Sequence, residues 1–329
     1  MSIRQKISEN SFVIFLKILP DELKSIWQFA KSNARSGKSK SSRKYLTDIL
    51  MLTHALEKAF SLPNPRKSFG LKKANSLLDK ISRYVSKYNW DKNIVVPVSV
   101  LGQYVKYHEL NNSISEDMQS FCKRLNLFIE SVSKAPEFFQ EGGTYDVSKV
   151  SLVEKGMGNF ETLAANRFAV RNFSGESVST KLLDKALNIS RKSPSACNRQ
   201  SYRVHVFKGD LKNQLLKMQG GANSFYETAD SVLLISADAN RYYTKESHLG
   251  YVDASLFAMT LIYALTYLGI GSIPLTLGIK QSILKRMKKT FSIPENEIPV
   301  LLIAIGNYPE QFKVAMSHRN PVESFTTYH

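Results

Sequence analysis

Cysteine is almost absent from this chain of 329 residues, which contains only Cys122 and Cys197. Two cysteines are too few for the disulfide framework that staples small secreted domains. Neither cysteine belongs to a Cys-x-x-Cys pair, and the six histidines do not cluster with the spacing of metal ligands. The sequence therefore predicts no metal site and no disulfide-stapled fold.

Long uncharged runs are scarce, and the one that stands out is residues 254–270, which are 17 residues without a charge. That length approaches a membrane span. Asp253 at its start and three Ser and Thr residues inside it favour instead a helix buried at the centre of a globular fold. A secretory signal is also missing, because Lys17 interrupts the apolar residues 12–19 and no small-residue cleavage site follows. We expect a cytoplasmic protein without a membrane span.

Acidic residues are outnumbered, since 45 Lys and Arg stand against 28 Asp and Glu and give a net charge of +17. The excess is not confined to one tail: residues 1–150 hold 24 basic against 14 acidic residues, and the remainder holds 21 against 14. Basic surfaces attract nucleic acid, anionic lipid or acidic glycans. A basic protein without such a partner is the simpler interpretation, and we expect no nucleic acid.

The first part of the chain has the periodicity of helices. Apolar residues recur at helical spacing in residues 21–32, 45–60, 71–84, 95–110 and 118–132. Residues 34–44 combine Ser and Gly with like charge, which predicts a loop, with a phosphate or nucleic-acid patch as the alternative. Residues 1–150 are therefore predicted to form a mainly helical, basic N-terminal domain, and residues 151–329 a second domain.

One pair within the predicted helices could carry chemistry. His54 and Glu57 are three residues apart and so share a helix face. A carboxylate in that position can orient and charge an imidazole. A structural pair on the helix surface or in the core is the alternative, and the sequence does not decide between them.

The second part of the chain alternates between two periodicities. Strands are predicted at residues 202–207, 231–237 and 299–306, and helices after Ser179 and at residues 211–218, 254–270 and 282–291. Strands mixed with helices in this order predict an α+β sandwich.

Two short segments carry the side chains best suited to hold a ligand. Arg167 and Arg171 lie four residues apart in residues 166–173, and two planar guanidinium groups suit a phosphate dianion. Residues 193–200 form a predicted turn rich in Ser, Pro and Asn, which can read the edge of a flat polar ring. The two segments together predict a nucleotide-like cofactor. Cys197 within the turn is either a reactive thiol or a small turn residue.

These segments resemble the nitroreductase family of FMN-dependent oxidoreductases. The likeness continues, in the same order, at residues 253–255, 268–272, 273–276, 291–295, 303–309 and 317–323. It covers roughly residues 158–329 and implies an α+β fold with a central mixed sheet flanked by helices. The helical first part resembles the extensions of nitroreductase-like proteins linked to cell-surface polysaccharide genes.

The resemblance implies a homodimer with FMN at its interface. Arg167, Arg171 and Arg319 would hold the phosphate, the 193–200 turn would pack against the isoalloxazine, and residues 274–276 would run past flavin N5 and O4. The implied cofactor-binding set is Arg167, Phe168, Ala169, Arg171, Ser193, Pro194, Ser195, Ala196, Asn198, Gln200, Asn223, Pro274, Leu275, Thr276 and Arg319. The sequence departs from the family at Phe168 and Ala169, where many members have small polar or basic residues, and at Thr276, where some have glutamate.

The activity implied by the resemblance passes hydride from NAD(P)H to flavin N5 and then to a nitroaromatic, a quinone or a similar acceptor, by a ping-pong mechanism. No protein nucleophile or base is required, so no catalytic side chain is assigned. Gly269 and Gly271 follow a helix and lack a third glycine, so they do not form a dinucleotide fingerprint. The alternative is a flavin-binding or catalytically silent protein whose basic helical part engages an acidic polymer such as a polysaccharide.

Overall fold

The computed structural model describes residues 10–32, 42–63, 65, 69–111, 114–132, 142–243 and 246–329. The chain forms two compact units, and neither is one continuous stretch. The sheet unit joins Met1–Ser25 to Val147–Phe312, and the helical unit joins Ile26–Asp146 to Lys313–His329. The C-terminal tail groups with the helical unit. The predicted domain boundary at residue 150 remains a prediction.

The first 132 residues supply five helices within the described ranges. They are α1 (Ser11–Ser32), α2 (Ser42–Phe60), α3 (Leu71–Tyr88), α4 (Lys92–Leu110) and α5 (Glu116–Ser131). Helix α5 begins two residues before the predicted position 118, and at its start the Ser115 hydroxyl accepts a hydrogen bond from the Met118 amide at 3.3 Å. Helix α1 starts ten residues before the predicted position 21 and contains Pro20. Of the predicted loop at residues 34–44, residues 42–44 belong instead to α2, and the rest lie outside the described residues.

The helical unit is built on apolar faces that recur at helical spacing. Ile49, Leu56, Leu77, Ile81 and Leu101 are fully buried, as the periodicity of α2 and α3 predicts. Aromatic rings fill the space beside them: Phe69 packs edge-on to Tyr104, with ring centroids 5.8 Å apart. The Tyr104 hydroxyl satisfies its polar end by donating to the Phe69 carbonyl at 2.7 Å.

The sheet unit is organised by four strands in the order β2-β3-β5-β4. They are β2 (Tyr202–Lys208), β3 (Ser231–Asp238), β4 (Ile270–Thr276) and β5 (Glu297–Asn307). A second, two-stranded sheet pairs β1 (Thr144–Ser148) with β6 (Gln311–Ala315). The α+β class is confirmed. The three ladders of the four-stranded sheet are all antiparallel, so the parallel pairing expected of a mixed sheet is not seen among them.

Helices cover both faces of this sheet. One face holds α8 (Thr180–Ser190) and α10 (Leu249–Tyr267), which pack on Leu233, Ile235 and Ala237. Alternate residues of β3 face the opposite way, toward α9 (Gly209–Gln219), which in turn contacts α11 (Gln281–Thr290). The short helices α6 (Lys149–Gly156) and α7 (Phe160–Ala165) contact α10.

Helix α10 is the uncharged segment that the sequence places at the centre of the fold. Among the described residues, it is the one helix long and apolar enough to cross a membrane. However, 56% of its most apolar stretch of 18 residues is buried inside the protein. Its inner side, with Ala254, Phe257, Ala258, Leu261 and Leu265, packs into the core of the sheet unit. The prediction of a central core helix is therefore confirmed, although the helix ends at Tyr267 and β4 follows from Ile270.

Candidate functional site

The arginine segment at residues 166–173 runs without regular structure along the edge strand β4. The Val170 amide donates to the Ser272 carbonyl at 3.0 Å, and the Ser174 amide donates to the Asn307 carbonyl at 3.0 Å. Val170 and Phe173 are buried on the inner side of the segment. Two main-chain bonds and two buried side chains thus fix the segment to the sheet, which leaves its remaining side chains in defined positions.

The two arginines occupy different environments on this segment. Arg171 is buried, and its Nη1 donates to the Ala169 carbonyl at 3.3 Å. Arg167 is half-buried, as are Phe168 and Ala169 between the two arginines. Burial raises the pKa of the Tyr308 phenol strongly, and the positive charge of Arg167 acts in the opposite direction on that pKa. The sequence-predicted pair of cations therefore lies together on one fixed segment.

Two glycines allow the segment to lie this close to the sheet. Gly271 on β4 pairs with Gly306 on β5. A Cβ at Gly306 would lie 2.7 Å from Cδ1 of Phe173, and one at Gly271 would lie 3.0 Å from Cε1 of Tyr308. The sequence shows these glycines only as parts of a family motif, and the structure gives them a physical role, which is to make room for two aromatic rings.

The end of β4 brings further predicted residues to the same edge of the sheet unit. Pro274 and Thr276 are exposed, while Leu275 between them is buried. Gln219 at the end of α9 donates to the Thr276 carbonyl at 2.9 Å and accepts from the Gly221 amide at 2.7 Å. The loop that follows contains the exposed Asn223 and the buried Phe225.

Phe225 connects this loop to the arginine segment, because its ring lies 6.3 Å from the ring of Phe173. The structure therefore brings together three of the predicted pieces, namely the arginine segment, the end of β4 and the loop of Asn223. All three belong to the sheet unit.

The turn at residues 193–200 is the most strained part of the candidate site. Cys197, Asn198 and Gln200 have φ angles of +50°, +55° and +49°, in the left-handed region that side chains other than glycine seldom adopt. The Ser195 hydroxyl accepts from the Gln200 amide at 2.9 Å and closes the turn. Ser193 and Ala196 are at least partly shielded, and Pro194, Asn198 and Gln200 are exposed. Amide side chains at the tip are therefore open to a ligand.

A buried carboxylate holds this turn in place. Asp253, near the start of α10, is 2% exposed, and its Oδ1 accepts from the Ala196 amide at 3.0 Å. Its Oδ2 accepts from the Tyr242 hydroxyl at 2.8 Å and from the Ser201 hydroxyl at 3.3 Å. In the sequence, Asp253 is recognised as the charged start of an apolar helix and as part of the family-like segment 253–255, and neither reveals this anchoring role. One feature of the sequence could have revealed this role. An aspartate inside an otherwise apolar segment is tolerated in a core only when hydrogen bonds satisfy it.

An ion pair supports the turn from its outer side. Arg199 donates to both carboxylate oxygens of Glu246, at 2.7 and 3.1 Å, and its guanidinium lies 5.1 Å from the centre of the Tyr242 ring. Hydrogen bonding from Arg199 lowers the pKa of Glu246. The structure thus ties the turn to α10 and to the residues that precede it, rather than to the arginine segment.

Arg319 belongs to the helical unit, whereas Arg167 and Arg171 belong to the sheet unit. It is exposed and donates to the Ser317 carbonyl. It also lines a cavity of about 1340 Å³ in the helical unit, together with His54, Glu57 and Asp91. Neither unit contains all three arginines, and the binding of the FMN phosphate by all three stays a prediction.

The His54 and Glu57 pair lines the same cavity, and Glu57 is also bonded to the main chain. Glu57 is 3% exposed, and its Oε1 accepts from the Gly143 amide at 3.3 Å. His54 Nδ1 lies 4.0 Å from Glu57 Oε2, and the imidazole is half exposed. Within the described ranges, no group of three or more His, Cys, Asp or Glu side chains could hold a metal ion.

The donor set of the sheet unit suits a phosphorylated, flat, polar cofactor. Arg167 and Arg171 provide guanidinium groups on a fixed segment, and the amides of Asn198 and Gln200 are exposed on a rigid turn. The exposed end of β4 offers polar main-chain groups next to the arginine segment. The residues present therefore fit FMN in the chemistry of their donors.

Comparison with known proteins identifies the relatives of the second half of the chain. The sequence model of the Nitroreductase family matches residues 164–224 and 211–307. A 4-nitrobenzoate reductase of Pseudomonas putida is 33% identical over 85 residues, which are 26% of this chain and 37% of that protein. The chain therefore spans less than half the length of this relative.

One further sequence match and one solved structure are covered over more of their own length. An Archaeoglobus fulgidus protein with the provisional name NADH dehydrogenase/NAD(P)H nitroreductase is 26% identical over 151 residues, which are 45% of this chain and 83% of that protein. The solved structure of an FMN-dependent nitroreductase from Clostridium difficile R20291 is 19% identical with a TM-score of 0.43, and it covers 50% of this chain and 95% of that protein.

Proposed function

Because residues 164–307 belong to the nitroreductase family, we propose that this chain is an FMN-dependent oxidoreductase that passes hydride from NAD(P)H to a small conjugated acceptor. The observation that carries the proposal is the arginine segment. Its main chain is fixed to the sheet by two hydrogen bonds, and it carries two arginines beside the exposed end of β4. A nitroaromatic or a quinone is the class of acceptor that the family resemblance suggests.

FMN, when bound, supplies the redox chemistry by exchanging hydride at N5 with NAD(P)H and then with the acceptor, in a ping-pong order. The residues of the chain bind and orient the cofactor. Arg167 and Arg171 would neutralise its phosphate, and the second of these, being buried, would also favour negative charge on a reduced flavin. The 193–200 turn would pack against the ring system with its amides toward the polar edge.

We further propose a homodimer formed by the outer side of α10. Val252, Leu256, Met259 and Tyr267 lie three to eight residues apart on this helix and are 45%, 44%, 37% and 41% exposed. A continuous apolar row of this kind marks an interface in soluble proteins. The resemblance places FMN at such an interface, so each site would be completed by the second protomer.

The first test is the flavin itself. The purified protein should be yellow, and heating should release FMN into solution. In unheated protein, rapid mixing with NADH or NADPH should bleach the colour of the bound flavin within seconds. A protein that stays colourless after incubation with FMN contradicts the proposal.

The second candidate function is a flavin-binding or silent protein that engages an acidic polymer through its basic helical part. The observation in its favour is that Phe168 and Ala169 bring no polar side chain to the candidate phosphate site. A yellow protein that is indifferent to both NADH and NADPH, but binds an acidic polysaccharide, would support this second candidate. Bleaching by either nucleotide supports the oxidoreductase.

A further inference from the structure

Two side chains on one side of α9 hold the loop that follows this helix. Lys212 and Gln219 are seven residues apart, which is close to two helical turns, so both lie on the same side of α9. The Lys212 ammonium donates to two carbonyls near the end of the loop, and Gln219 accepts from the Gly221 amide at its start. The loop of residues 220–229 is thus attached to α9 at both ends.

Gln219 also contacts the edge of the sheet. Its Nε2 donates to the Thr276 carbonyl at 2.9 Å, while its Oε1 accepts from the Gly221 amide at 2.7 Å. One orientation of the carboxamide satisfies both partners, because one partner needs a donor and the other an acceptor. A single side chain therefore joins the exposed end of β4 to the start of the 220–229 loop.

The backbone beside Gln219 leaves room for its carboxamide. Gly220 has a φ of +84°, in the left-handed region, where it ends α9 and turns the chain into the loop. A Cβ at Gly221 would lie 2.9 Å from Oε1 and 3.1 Å from Nε2 of Gln219. A side chain at position 221 would therefore push the carboxamide away from its two partners.

The 220–229 loop is packed against the arginine segment. Ala222 and Phe225 are buried, and the Phe225 ring lies 6.3 Å from the ring of Phe173. The Phe225 amide donates to the Ala222 carbonyl at 2.9 Å, which closes a turn. The backbone that carries the exposed Asn223 is therefore fixed relative to the arginine segment, and Gln219 fixes it relative to the end of β4.

We propose that Gln219 is a positioning residue of the candidate flavin site, which fixes the end of β4 and the 220–229 loop relative to each other before FMN binds. The inference rests on the proposed function, because FMN is the ligand that both segments would border. A site that is already ordered loses less conformational entropy on binding. The two hydrogen bonds of Gln219 therefore raise FMN affinity through the segments that they hold.

The experiment is FMN titration of the full-length chain and three variants. Gln219→Met keeps the length of the side chain and removes both hydrogen bonds, so FMN affinity should fall about tenfold. Gln219→Glu keeps the acceptor for the Gly221 amide but has no proton to donate to the Thr276 carbonyl at neutral pH. Its affinity should fall about fivefold, because the end of β4 is released. Gln214→Met, at an exposed position of the same helix, is the matched control and should bind FMN as the wild type does.

Hydrogen exchange of the protein without FMN separates positioning from a general loss of the fold. In Gln219→Met, the amides of the 220–229 loop should exchange faster than in wild type, and those of β3 and β5 should be unchanged. In Gln219→Glu, the Gly221 amide should stay protected, since its acceptor remains. Gly221→Ala is a second route, because its Cβ displaces the carboxamide while Gln219 itself is unchanged. It should match Gln219→Met in both exchange and FMN affinity.

The flavin spectrum is a readout that the stability of the loop alone would not move. With FMN saturating, the visible absorption band should shift in both Gln219 variants and stay in place in Gln214→Met, because that band responds to the groups around the ring.

Two results would overturn the proposal. Wild-type FMN affinity in both Gln219 variants, with faster exchange of the loop, would confine Gln219 to the stability of the loop. Unchanged exchange in Gln219→Met would mean that the contact holds nothing. A wild-type chain that binds no FMN is a different result, which overturns the proposed function and the role of Gln219 together.

Discussion

The two units of the molecule bury different kinds of side chain. The sheet unit encloses charged groups, with Arg171, Lys212, Asp253 and Glu297 all 7% exposed or less. The helical unit encloses mainly aliphatic and aromatic residues, and rings such as Phe69, Tyr104 and His108 pack against each other at its centre. Glu57 is the buried carboxylate described in that unit.

Two of these buried charges, Asp253 and Lys212, hold loops, whereas Glu297 bonds to His205 and Ser236 within the sheet. Asp253 fixes the 193–200 turn, and the Lys212 ammonium donates to the carbonyls of Glu227 and Ala229, at the end of the loop that contains Asn223. Burying a charge costs free energy unless several hydrogen bonds satisfy it. In the sheet unit, the cost of burying these charges is offset by fixing the positions of two loops of the candidate site. The helical unit is instead packed mainly through apolar contacts.

The largest effect is expected from Asp253→Ala, which breaks the feature that distinguishes the sheet unit. The substitution leaves the Ala196 amide without its acceptor and leaves the hydroxyls of Ser201 and Tyr242 with only each other as partners. The free energy of unfolding should fall by about 3 kcal/mol, and FMN binding should weaken because the turn loses its anchor. Chemical denaturation and FMN titration measure the two effects. Asp184→Ala, at an exposed position of α8, is the control, and equal behaviour of the two variants would show that Asp253 holds nothing.

The next largest effect is expected on FMN affinity when the arginines are replaced. The arginine variants test whether both units contribute to one phosphate site. Arg167→Ala and Arg171→Ala should each weaken FMN binding roughly tenfold to a hundredfold, since a charge-assisted bond to phosphate contributes about 1.5–3 kcal/mol. Arg286→Ala, on the exposed side of α11, is the control. Lysine at the same positions should restore binding only in part, because it lacks the planar fork.

Arg319→Ala sharpens the comparison, because Arg319 belongs to the helical unit. A loss equal to that of Arg171→Ala would show that the tail completes the phosphate site. Wild-type FMN affinity in this variant alone would confine the site to the sheet unit. Wild-type affinity in all three variants would contradict the assignment of the site.

The sequence predicts the parts of the fold that depend on local pattern. The central position of α10 and the buried faces of α2 and α3 follow from the spacing of apolar residues along the chain. It does not predict the role of Asp253, because the three donors come from segments distant along the chain. The grouping of Arg319 with the helical unit has the same origin, since it depends on long-range packing.

A smaller effect is expected at Gly306, which lets the arginine segment approach the sheet. In Gly306→Ala, the new Cβ would lie 2.7 Å from the Phe173 ring, so the ring and the segment must shift. Overpacking of this kind costs about 1–3 kcal/mol of unfolding free energy, and FMN affinity should fall with it. Gly278→Ala is the control, because a Cβ there meets only the Thr276 hydroxyl at 3.5 Å. Unchanged stability and affinity in Gly306→Ala would mean that the segment is not held by this contact.

The smallest effect is expected on the stability of the helical unit, and it depends on pH because this unit contains a buried histidine. His108 is fully buried, and burial lowers its pKa from the ordinary 6.5, while a hydrogen bond with the Phe69 backbone acts in the opposite direction. As the pH falls below about 6.5, the unfolded chain binds a proton at this residue before the folded chain does. Stability should therefore be highest above that pH, decline below it, and level off once the pH is below the lowered pKa.

The measurement is the unfolding free energy of wild type and His108→Gln at several pH values from neutral to mildly acidic. The difference between the two proteins should change with pH in the direction that destabilises wild type in acid. His318→Gln, which removes an exposed histidine of the same unit, is the control for the loss of a histidine side chain. If the difference between wild type and His108→Gln does not change with pH, His108 takes up its proton equally in both states, and the helical unit then tolerates a buried charge as the sheet unit does.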